Sequence, residues 1–244
     1  MLLCLYISRK KVIPVKTPIT WKKIQHHFTY SLWKYALLVI VAILGWSLIF
    51  SVTEYQAPDE KKVVMGVYAY GDETMINDYM EVVRTISMPD MEEMNAQYVT
   101  PDDAYGAMIL STRVAARDYD IYILPRAEFQ NYAAQGAFMP LEIALPGLMA
   151  DLEAQGVGLS RGCRTLEAKV PTGWEAHMQT GGKYQFGIPC ADLPSMSYTL
   201  QIDTSDMYIC VFYQTGNDEN VLKFLDLFVR DMLLEPVPAE TPAE

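Results

Sequence analysis

Few residues in this chain have a type and spacing suited to catalysis. Two of its three histidines, His26 and His27, are adjacent in a basic stretch near the N-terminus, and His177 is the third. A serine or cysteine triad beyond that stretch would therefore depend on His177. Because His177 lies in a glycine-rich stretch and we expect no nucleophile elbow among the serines, we interpret it as a solvated residue. The sequence predicts no catalytic residues and no enzyme activity.

The patterns for metal and phosphate binding are incomplete. Adjacent histidines point about 100° apart on a helix, so the pair in the basic stretch is a poor metal site. The segment 181–183 (GGK) resembles the end of a phosphate loop, but His177 stands at the place of its first glycine. Tyr184 stands where that loop needs Ser or Thr. We therefore predict no metal and no cofactor.

The charges divide the chain into two parts of opposite sign. All 30 acidic residues follow a segment that contains seven of the 19 Lys and Arg, so the remainder has 12 basic residues and a formal charge of −18. A domain this acidic repels a polyanion, and we predict no nucleic-acid partner. The seven basic residues are Arg9, Lys10, Lys11, Lys16, Lys22, Lys23 and Lys34.

Between the two parts lies an apolar segment, residues 35–52, which contains no charged residue. As a helix it would span roughly 27 Å, enough to cross the hydrocarbon of a bilayer. The aromatic residues Trp33 and Tyr55 flank it, as is common at membrane interfaces. The positive-inside rule then predicts a single-pass protein of the cell membrane, with the N-terminus cytoplasmic and the C-terminal domain extracellular.

A cleaved signal peptide is the alternative interpretation of this segment, because a basic region precedes an apolar one. A signal peptide has an apolar core of about 7–15 residues, which is shorter than the segment here. The basic stretch is also long, since it extends to Lys34. These two features favour a retained membrane anchor.

The composition predicts five regions. A basic cytoplasmic or juxtamembrane segment, 1–34, precedes the transmembrane helix 35–52 and a charged tether, 53–62. An extracytoplasmic α/β domain covers 63–234, and 235–244 (EPVPAETPAE) has the composition of a disordered acidic tail.

Strands and helices alternate in the first part of the α/β domain. Continuous apolar runs of strand length indicate strands buried on both faces, and this alternation is typical of a parallel sheet with right-handed crossovers. Asp72 and Thr100 are suitable N-caps for the first two helices. The predicted strands are Val63–Tyr70, Ala96–Val99 and Asp120–Pro125, and the predicted helices cover 73–87, 100–116 and 127–135.

The second part of the domain has fewer signals. Pro146–Gln155 is compatible with a helix, and 156–182 is glycine-rich and irregular. Strands are predicted at Tyr184–Ile188 and Met207–Tyr213, followed by a strongly amphipathic helix from Asn217 to Met232. The three cysteines of this part, Cys163, Cys190 and Cys210, allow at most one intrachain disulfide. Cys190 with Cys210 is the candidate pair, and buried free thiols are the alternative.

One stretch of sequence resembles a known family. From Ala115 to Glu142 the chain reads AARDYDIYILPRAEFQNYAAQGAFMPLE, which resembles the extracellular solute-binding proteins of ABC importers. In that family a helix leads into an aspartate-led apolar strand, then a short helix ending in small residues and glycine, then an apolar-x-Pro-Leu loop. The corresponding residues here are Asp120–Leu124, Ala134–Gly136 and Phe138–Leu141. The segment Tyr184–Pro189 is similar to the strand that returns from the second lobe, and 217–232 to a late helix of the first lobe.

This resemblance implies a periplasmic-binding-protein-like lobe with a mainly parallel sheet and flanking helices. The family would place most of a second lobe between Glu142 and Tyr184, where this chain has about 40 residues. We therefore expect the second lobe to be reduced or absent. The implied function is a membrane-anchored binding domain for a small solute. The alternative is a structural or regulatory partner of a cell-envelope complex that binds no small molecule.

If a solute is bound, we expect it at the C-terminal ends of the parallel strands, where loops converge at a topological switch point. That rule selects Tyr70 and Asp72 after the first strand, and Pro125 and Arg126 after the third. A tyrosine ring would stack on the ligand, while Arg126 or Asp72 would bind its polar groups. Loop packing or helix capping is the alternative role for each of these residues.

Overall fold

A computed structural model of the protein describes residues 20–53, 57–102, 105–213 and 216–235. The chain divides into two compact units, 1–56 and 57–244. The first 19 residues, and the predicted acidic tail after Glu235, lie outside the described residues.

The first unit contains one long helix, α1 (Trp21–Thr53). Its segment Leu32–Ser51 has a mean hydropathy of 2.0 and is not buried against protein. The segment is long and apolar enough to cross a membrane, and a signal sequence near the N-terminus would share these properties. It overlaps the predicted transmembrane segment 35–52.

The second unit is built on a five-stranded sheet with the order β2-β1-β3-β7-β6. β1 is parallel to β2 and to β3, whereas β7 is antiparallel to its neighbours β3 and β6. Four of the five strands therefore run in one direction, which confirms the mainly parallel sheet. β4 and β5 form a separate antiparallel pair. The strands are β1 (Lys62–Val67), β2 (Glu93–Tyr98), β3 (Ile121–Pro125), β4 (Cys163–Thr165), β5 (Lys183–Gln185), β6 (Ile188–Pro189) and β7 (Met207–Val211).

Helices cover both faces of this sheet, as the continuous apolar strands predict. Along β1, Val63 and Met65 pack into one hydrophobic core and Val64 into the other. The first core also receives side chains from α2 (Thr74–Ile86), α5 (Leu141–Ala144), α6 (Pro146–Ala154), α7 (Met196–Leu200) and α8 (Asp218–Met232). The second receives side chains from α3 (Gly106–Ala116) and α4 (Arg126–Ala134).

Three predicted boundaries are wrong by three residues or more. β2 begins at Glu93, three residues before the predicted start at Ala96. β1 ends at Val67, three residues before the predicted end at Tyr70. α3 begins at Gly106, whereas Thr100 was the predicted N-cap. The carbonyl oxygen of Thr100 instead accepts a hydrogen bond from the Asp102 amide, 2.8 Å away, and the chain turns there before the helix starts.

The strand predicted at Tyr184–Ile188 is divided between two sheets, as β5 and β6. The amide of Phe186 donates to the carbonyl of Gly162, and the chain then passes so close to Phe129 that a Cβ atom on Gly187 would stand 2.7 Å from its ring. The backbone bends at this point, which explains why one apolar run forms two short strands.

The region expected to lack a full second lobe contains a 3-10 turn (Leu159–Gly162), β4, a loop and β5. Leu166 and Met178 from this region, and Phe186 just after it, are buried in the same core as α4. In the described residues this region is a hairpin that packs on the α4 side of the sheet, which agrees with the prediction of a second lobe that is reduced or absent.

Cys190 and Cys210 are free, buried thiols and do not form the candidate disulfide. They belong to different cores, because Cys190 packs with the α8 side of the sheet and Cys210 with the α4 side. Burial raises the pKa of both thiols. Cys163 is also free and is half-buried.

β2 is an edge strand, and a side chain from α2 covers the middle of its outer edge. The Ala96 amide donates to Oδ1 of Asn77 (2.7 Å), and Nδ2 of Asn77 donates to the Ala96 carbonyl (3.2 Å). Asn77 thereby occupies two backbone groups that another strand could otherwise pair with.

The hairpin region is attached to the end of β6 through Asp192. Its carboxylate accepts hydrogen bonds from the Gly158 amide (2.7 Å) and from the guanidinium of Arg161. Burial acts to raise the pKa of Asp192, but these bonds outweigh it and the pKa is lowered from its ordinary value of 3.8. The ionised form is therefore favoured in the folded protein.

We expect Asp192→Asn to destabilise the protein at neutral pH. A lowered folded-state pKa means that the stabilisation is complete above the unfolded-state value and is lost as the pH falls through the folded-state value. The difference in melting temperature between the wild type and Asp192→Asn should therefore shrink below about pH 4. Thermal unfolding followed by circular dichroism from pH 7 to pH 3 measures it. A difference that stays constant over this range would contradict the assignment.

Candidate functional site

Tyr70 lies three residues after the end of β1, at the C-terminal edge of the sheet. Its side chain is 66% exposed, and its hydroxyl donates to the carbonyl of Pro101, 3.0 Å away. Pro101 lies just after β2, so Tyr70 connects the ends of two neighbouring parallel strands.

Asp72 organises the beginning of α2. Its Oδ1 accepts hydrogen bonds from the amide (2.9 Å) and the hydroxyl (2.6 Å) of Thr74. These bonds lower the pKa of Asp72, so its carboxylate is ionised at neutral pH. Glu73 occupies the N-cap position itself, and Asp72 caps from one residue further out.

Pro125 contacts the first residue of β7, and Arg126 contacts the residue just before that strand. Pro125 stands opposite Met207 in the β3–β7 ladder. The Arg126 guanidinium forms an ion pair with Asp206 at 2.6 Å, and the Arg126 amide donates to the Asp206 carbonyl at 2.9 Å. These contacts fix the start of α4.

A cavity of about 550 Å³ lies beside the end of β2 and the N-terminal half of α3. Its size is within the range of about 300–1,000 Å³ that is usual for small-molecule sites. We call it the tyrosine pocket because four tyrosines line it. Of the four predicted ligand residues, Tyr70 lines it, and Asp72, Pro125 and Arg126 do not. Its lining consists of Tyr70, Gln97, Tyr98, Val99, Thr100, Asp102, Tyr105, Gly106, Ile109, Arg113 and Tyr119.

Tyr119 forms the floor of the tyrosine pocket and is 2% exposed. Its ring lies directly on the backbone of β1, where a Cβ atom on Gly66 would stand 2.2 Å from the ring. The Tyr119 hydroxyl donates to Oε1 of Gln97 at 3.3 Å, and the ring contacts Tyr122 edge-on with centroids 5.4 Å apart. The floor is therefore held by all three parallel strands β1, β2 and β3.

Tyr98 forms the adjoining wall. Its hydroxyl donates to the Leu200 carbonyl at 2.6 Å, and its ring lies where a Cβ atom on Gly71 would approach to 2.5 Å. Burial raises the pKa of Tyr98 to about 12, and the nearby charges of Asp72 and Glu73 act in the same direction. The wall therefore lies in the field of two carboxylates.

Two tyrosines stand at the mouth of the pocket. Tyr70 is 66% exposed and Tyr105 is 62% exposed. α3 can begin close to the end of β2 because Gly106 has no side chain, since a Cβ atom there would stand 2.6 Å from the Thr100 carbonyl oxygen. This approach brings Tyr105 to the same mouth as Tyr70.

Among the described residues, the lining of the tyrosine pocket has one charged group of each sign. The Arg113 guanidinium forms an ion pair with Asp118 at 2.8 Å and lies over the Tyr119 ring, 5.8 Å from its centroid. The carboxylate of Asp102 is exposed and has no side-chain partner among the described residues. Within the described part of the chain, the positive charge thus has an ion-pair partner and the negative charge has none.

The chain does contain a Gly-x-Ser-x-Gly sequence, Gly158–Gly162, contrary to the expectation stated above. It forms a 3-10 turn that follows helix α6 and precedes strand β4. A nucleophile elbow needs the opposite order, from strand to helix. His177 lies on the loop between β4 and β5, and its ring contacts Trp174 with centroids 6.1 Å apart.

Of the residues that line the tyrosine pocket, Tyr70 was predicted from the sequence as a ligand residue and the others were not. The rule that selected the residues after β1 and β3 would also have selected Thr100 and Asp102 after β2, but these had been assigned to a helix start. That signal was present and could have been used. The position of Tyr119 in the pocket could not be predicted in this way, because the Tyr119 ring is placed by its contact with Gly66, which is distant in the sequence.

No family model matches this chain, and no curated protein matches it. Solved structures that it resembles are extracellular solute-binding proteins. The resemblance stated from the sequence is therefore also found in the structure, over part of the chain.

Three of these structures illustrate the extent of the similarity. A family 1 extracellular solute-binding protein from Alicyclobacillus acidocaldarius has 17% identity and a TM-score of 0.32, over 52% of this chain and 27% of that one. An ABC transporter solute-binding protein from Agrobacterium vitis, with bound D-mannitol, has 16% identity and a TM-score of 0.32, over 53% and 27%. An N-glycan transport solute-binding protein from Streptococcus pneumoniae, in complex with Man5GlcNAc, has 14% identity and a TM-score of 0.34, over 70% and 35%. The chain thus matches about a third or less of each structure's length.

We expect Gly66→Ala to displace Tyr119 from the floor of the tyrosine pocket. The added methyl group would overlap a buried ring, and overpacking of this kind costs typically about 1–3 kcal/mol. Gly147→Ala is the matched control, because no atom lies within 4 Å of a Cβ atom at that helical position. Thermal unfolding of both variants measures the difference. Equal melting temperatures for the two would contradict the packing described here.

Proposed function

We propose that residues 57–235 form a non-catalytic domain that binds a small solute outside the cell membrane, and that α1 anchors it. The tyrosine pocket is the observation that carries this proposal. It lies at the C-terminal ends of parallel strands, where α/β proteins commonly bind ligands.

The lining of the pocket suits a solute that has both an apolar face and polar groups. Tyr70 and Tyr105 offer ring surface at the mouth, and Gln97 and Asp102 offer polar atoms. Aromatic walls with a few polar groups are typical of small-molecule sites. A solute could therefore stack between the two rings while its polar groups contact the end of β2.

The reduced second lobe should limit the affinity of the tyrosine pocket for a solute. Solute-binding proteins of the two-lobed type hold their ligands in the cleft between the lobes, and the hairpin β4–β5 here packs onto the first lobe. A solute in the tyrosine pocket would stay partly exposed to water. We therefore expect modest affinity and little conformational closure on binding.

The charge distribution supports the proposed orientation. Seven basic residues precede the apolar segment and none of the 30 acidic residues do. Moving basic residues through the hydrocarbon costs about 2.5–3.5 kcal/mol for each charge at the midplane. The N-terminus therefore stays in the cytoplasm in this proposal, and the acidic domain faces outward.

A second candidate function is a structural or regulatory partner of a cell-envelope complex. The outer face of α3 favours it, since Met108 is 58% exposed and Ile109 is 42% exposed. The helical segment from Gly106 to Thr112 contains no charged residue in an otherwise acidic domain. An exposed apolar face of this kind suits a protein partner. Crosslinking in intact membranes tests it, and recovery of the protein alone as a monomer would count against it.

We expect the full chain, reconstituted in nanodiscs, to bind a member of a panel of sugars, amino acids, peptides and amines in isothermal titration calorimetry. Tyr70→Leu should weaken binding about tenfold, because truncating an aromatic residue at a ligand contact commonly costs more than 1 kcal/mol. Tyr198→Leu is the control, since Tyr198 is 49% exposed and does not line the pocket. The absence of binding across the whole panel would overturn the proposed function.

We also expect external protease to digest the domain in intact spheroplasts. Cleavage should remove nearly everything after Val52 and leave a fragment that contains the N-terminal segment and α1. Immunoblotting with a tag at the N-terminus detects this fragment. A domain that survives until the membrane is opened would show the reverse orientation.

A further inference from the structure

We propose that the tyrosine pocket selects organic cations, such as alkylated or quaternary amines, over neutral solutes of the same shape. This inference rests on the proposed function, because it names the class of solute that the same pocket binds. It follows from the uncompensated charge of the lining, the surrounding carboxylates and the exposed aromatic rings.

The first argument is the charge balance of the lining. Arg113 is the basic residue of the lining, and its guanidinium is already paired with Asp118 at 2.8 Å. Asp102 is the acidic residue of the lining, and its carboxylate has no side-chain partner among the described residues. A bound cation would supply that partner, whereas an anion would be repelled by it.

The second argument is the electrostatic potential near Tyr98, which forms a wall of the pocket. Asp72 and Glu73 lie close enough to Tyr98 to disfavour a negative charge on its hydroxyl. The two hydrogen bonds from Thr74 keep Asp72 ionised at neutral pH. Together with Asp102, these carboxylates give this end of the sheet a negative potential, which raises the local concentration of cations.

The third argument is the aromatic surface. An organic cation within about 6 Å of a tyrosine ring centroid is attracted to the face of the ring. The fold already uses this interaction in the pocket, where the Arg113 guanidinium lies 5.8 Å from the centroid of Tyr119. The exposed rings of Tyr70 and Tyr105 remain for a ligand. An alkylated cation fits this lining better than a metal ion, which requires several oxygen ligands.

A neutral polyol could also stack on Tyr70 and Tyr105, but it would gain nothing from the charge of Asp102. A pair of probes with the same shape and different charge therefore separates the two possibilities. Choline and 3,3-dimethylbutan-1-ol form such a pair, because a quaternary carbon in the alcohol replaces the quaternary nitrogen of choline.

The test is isothermal titration calorimetry on the full chain in nanodiscs of zwitterionic lipid. We expect choline to bind about two- to fivefold more tightly than the alcohol, the ratio that cation–π attraction at an exposed site supports. Asp102→Asn should weaken choline binding severalfold and leave the affinity for the alcohol unchanged. Asp90→Asn, which changes an exposed carboxylate outside the pocket, is the matched control and should alter neither affinity.

If Asp102→Asn does not fold, the salt dependence of choline binding by the wild type tests the same proposal. Raising the ionic strength from about 0.05 to 0.5 M shortens the screening length severalfold, so the affinity of the wild type for choline should fall. The affinity for the alcohol should not fall under the same change. An affinity for choline that is independent of salt would overturn the proposal.

The outcomes separate this inference from the proposed function. Equal affinity for choline and the alcohol overturns the selection of cations and leaves solute binding intact. Binding of mannitol that depends on Tyr70, without any binding of amines, has the same consequence. If neither the two probes nor any member of the solute panel binds, both the inference and the proposed function are overturned.

Discussion

The contact between the ring of Tyr119 and the backbone of Gly66 is the constraint on which the tyrosine pocket and the elements around it depend. A Cβ atom at Gly66 would stand 2.2 Å from that ring. The same side chain reaches Gln97 on β2 and lies under the guanidinium of Arg113 on α3. One aromatic residue thereby contacts β1, β2 and α3 at once. The floor of the tyrosine pocket is a direct result of this packing, because α3 cannot approach the sheet more closely.

The two edge strands of the sheet, β2 and β6, are covered in different ways. The tyrosine pocket opens at the end of β2. Along the middle of β2, Asn77 occupies the outward amide and carbonyl of Ala96. The end of β2 has no such cover from α2, and the tyrosine pocket opens there. At the opposite edge, β6 is only two residues long and is followed immediately by a 3-10 turn. Among the described residues, the tyrosine pocket is therefore an accessible place at the C-terminal ends of the parallel strands.

The strands and helices that could be predicted from the sequence are those recognisable from the pattern of their own residues. β1 and β3 are continuous apolar runs, and α2 and α8 have the spacing of amphipathic helices, so each could be recognised from its own residues. The site was predicted at Tyr70, which follows a recognisable strand, and Thr100 and Asp102 could have been predicted in the same way because they follow β2. The division of Tyr184–Ile188 into β5 and β6 depends on backbone contacts with Gly162, and the floor of the pocket depends on Gly66. Such contacts join residues that are distant in the sequence, and no periodic pattern encodes them.

The position of β7 has a consequence for how the domain acquires its structure. β7 lies between β3 and β6 in the sheet, yet both of these strands precede it in the chain. While the chain emerges from N-terminus to C-terminus, β3 therefore has one unpaired edge until residues Met207–Val211 have been synthesised. α8, which buries six of its side chains in the first core, arrives later still. A nascent chain that stops before β7 exposes an apolar strand edge, which can pair with other chains. The topology therefore leaves the β7-facing edge of β3 unpaired for as long as Met207–Val211 is missing.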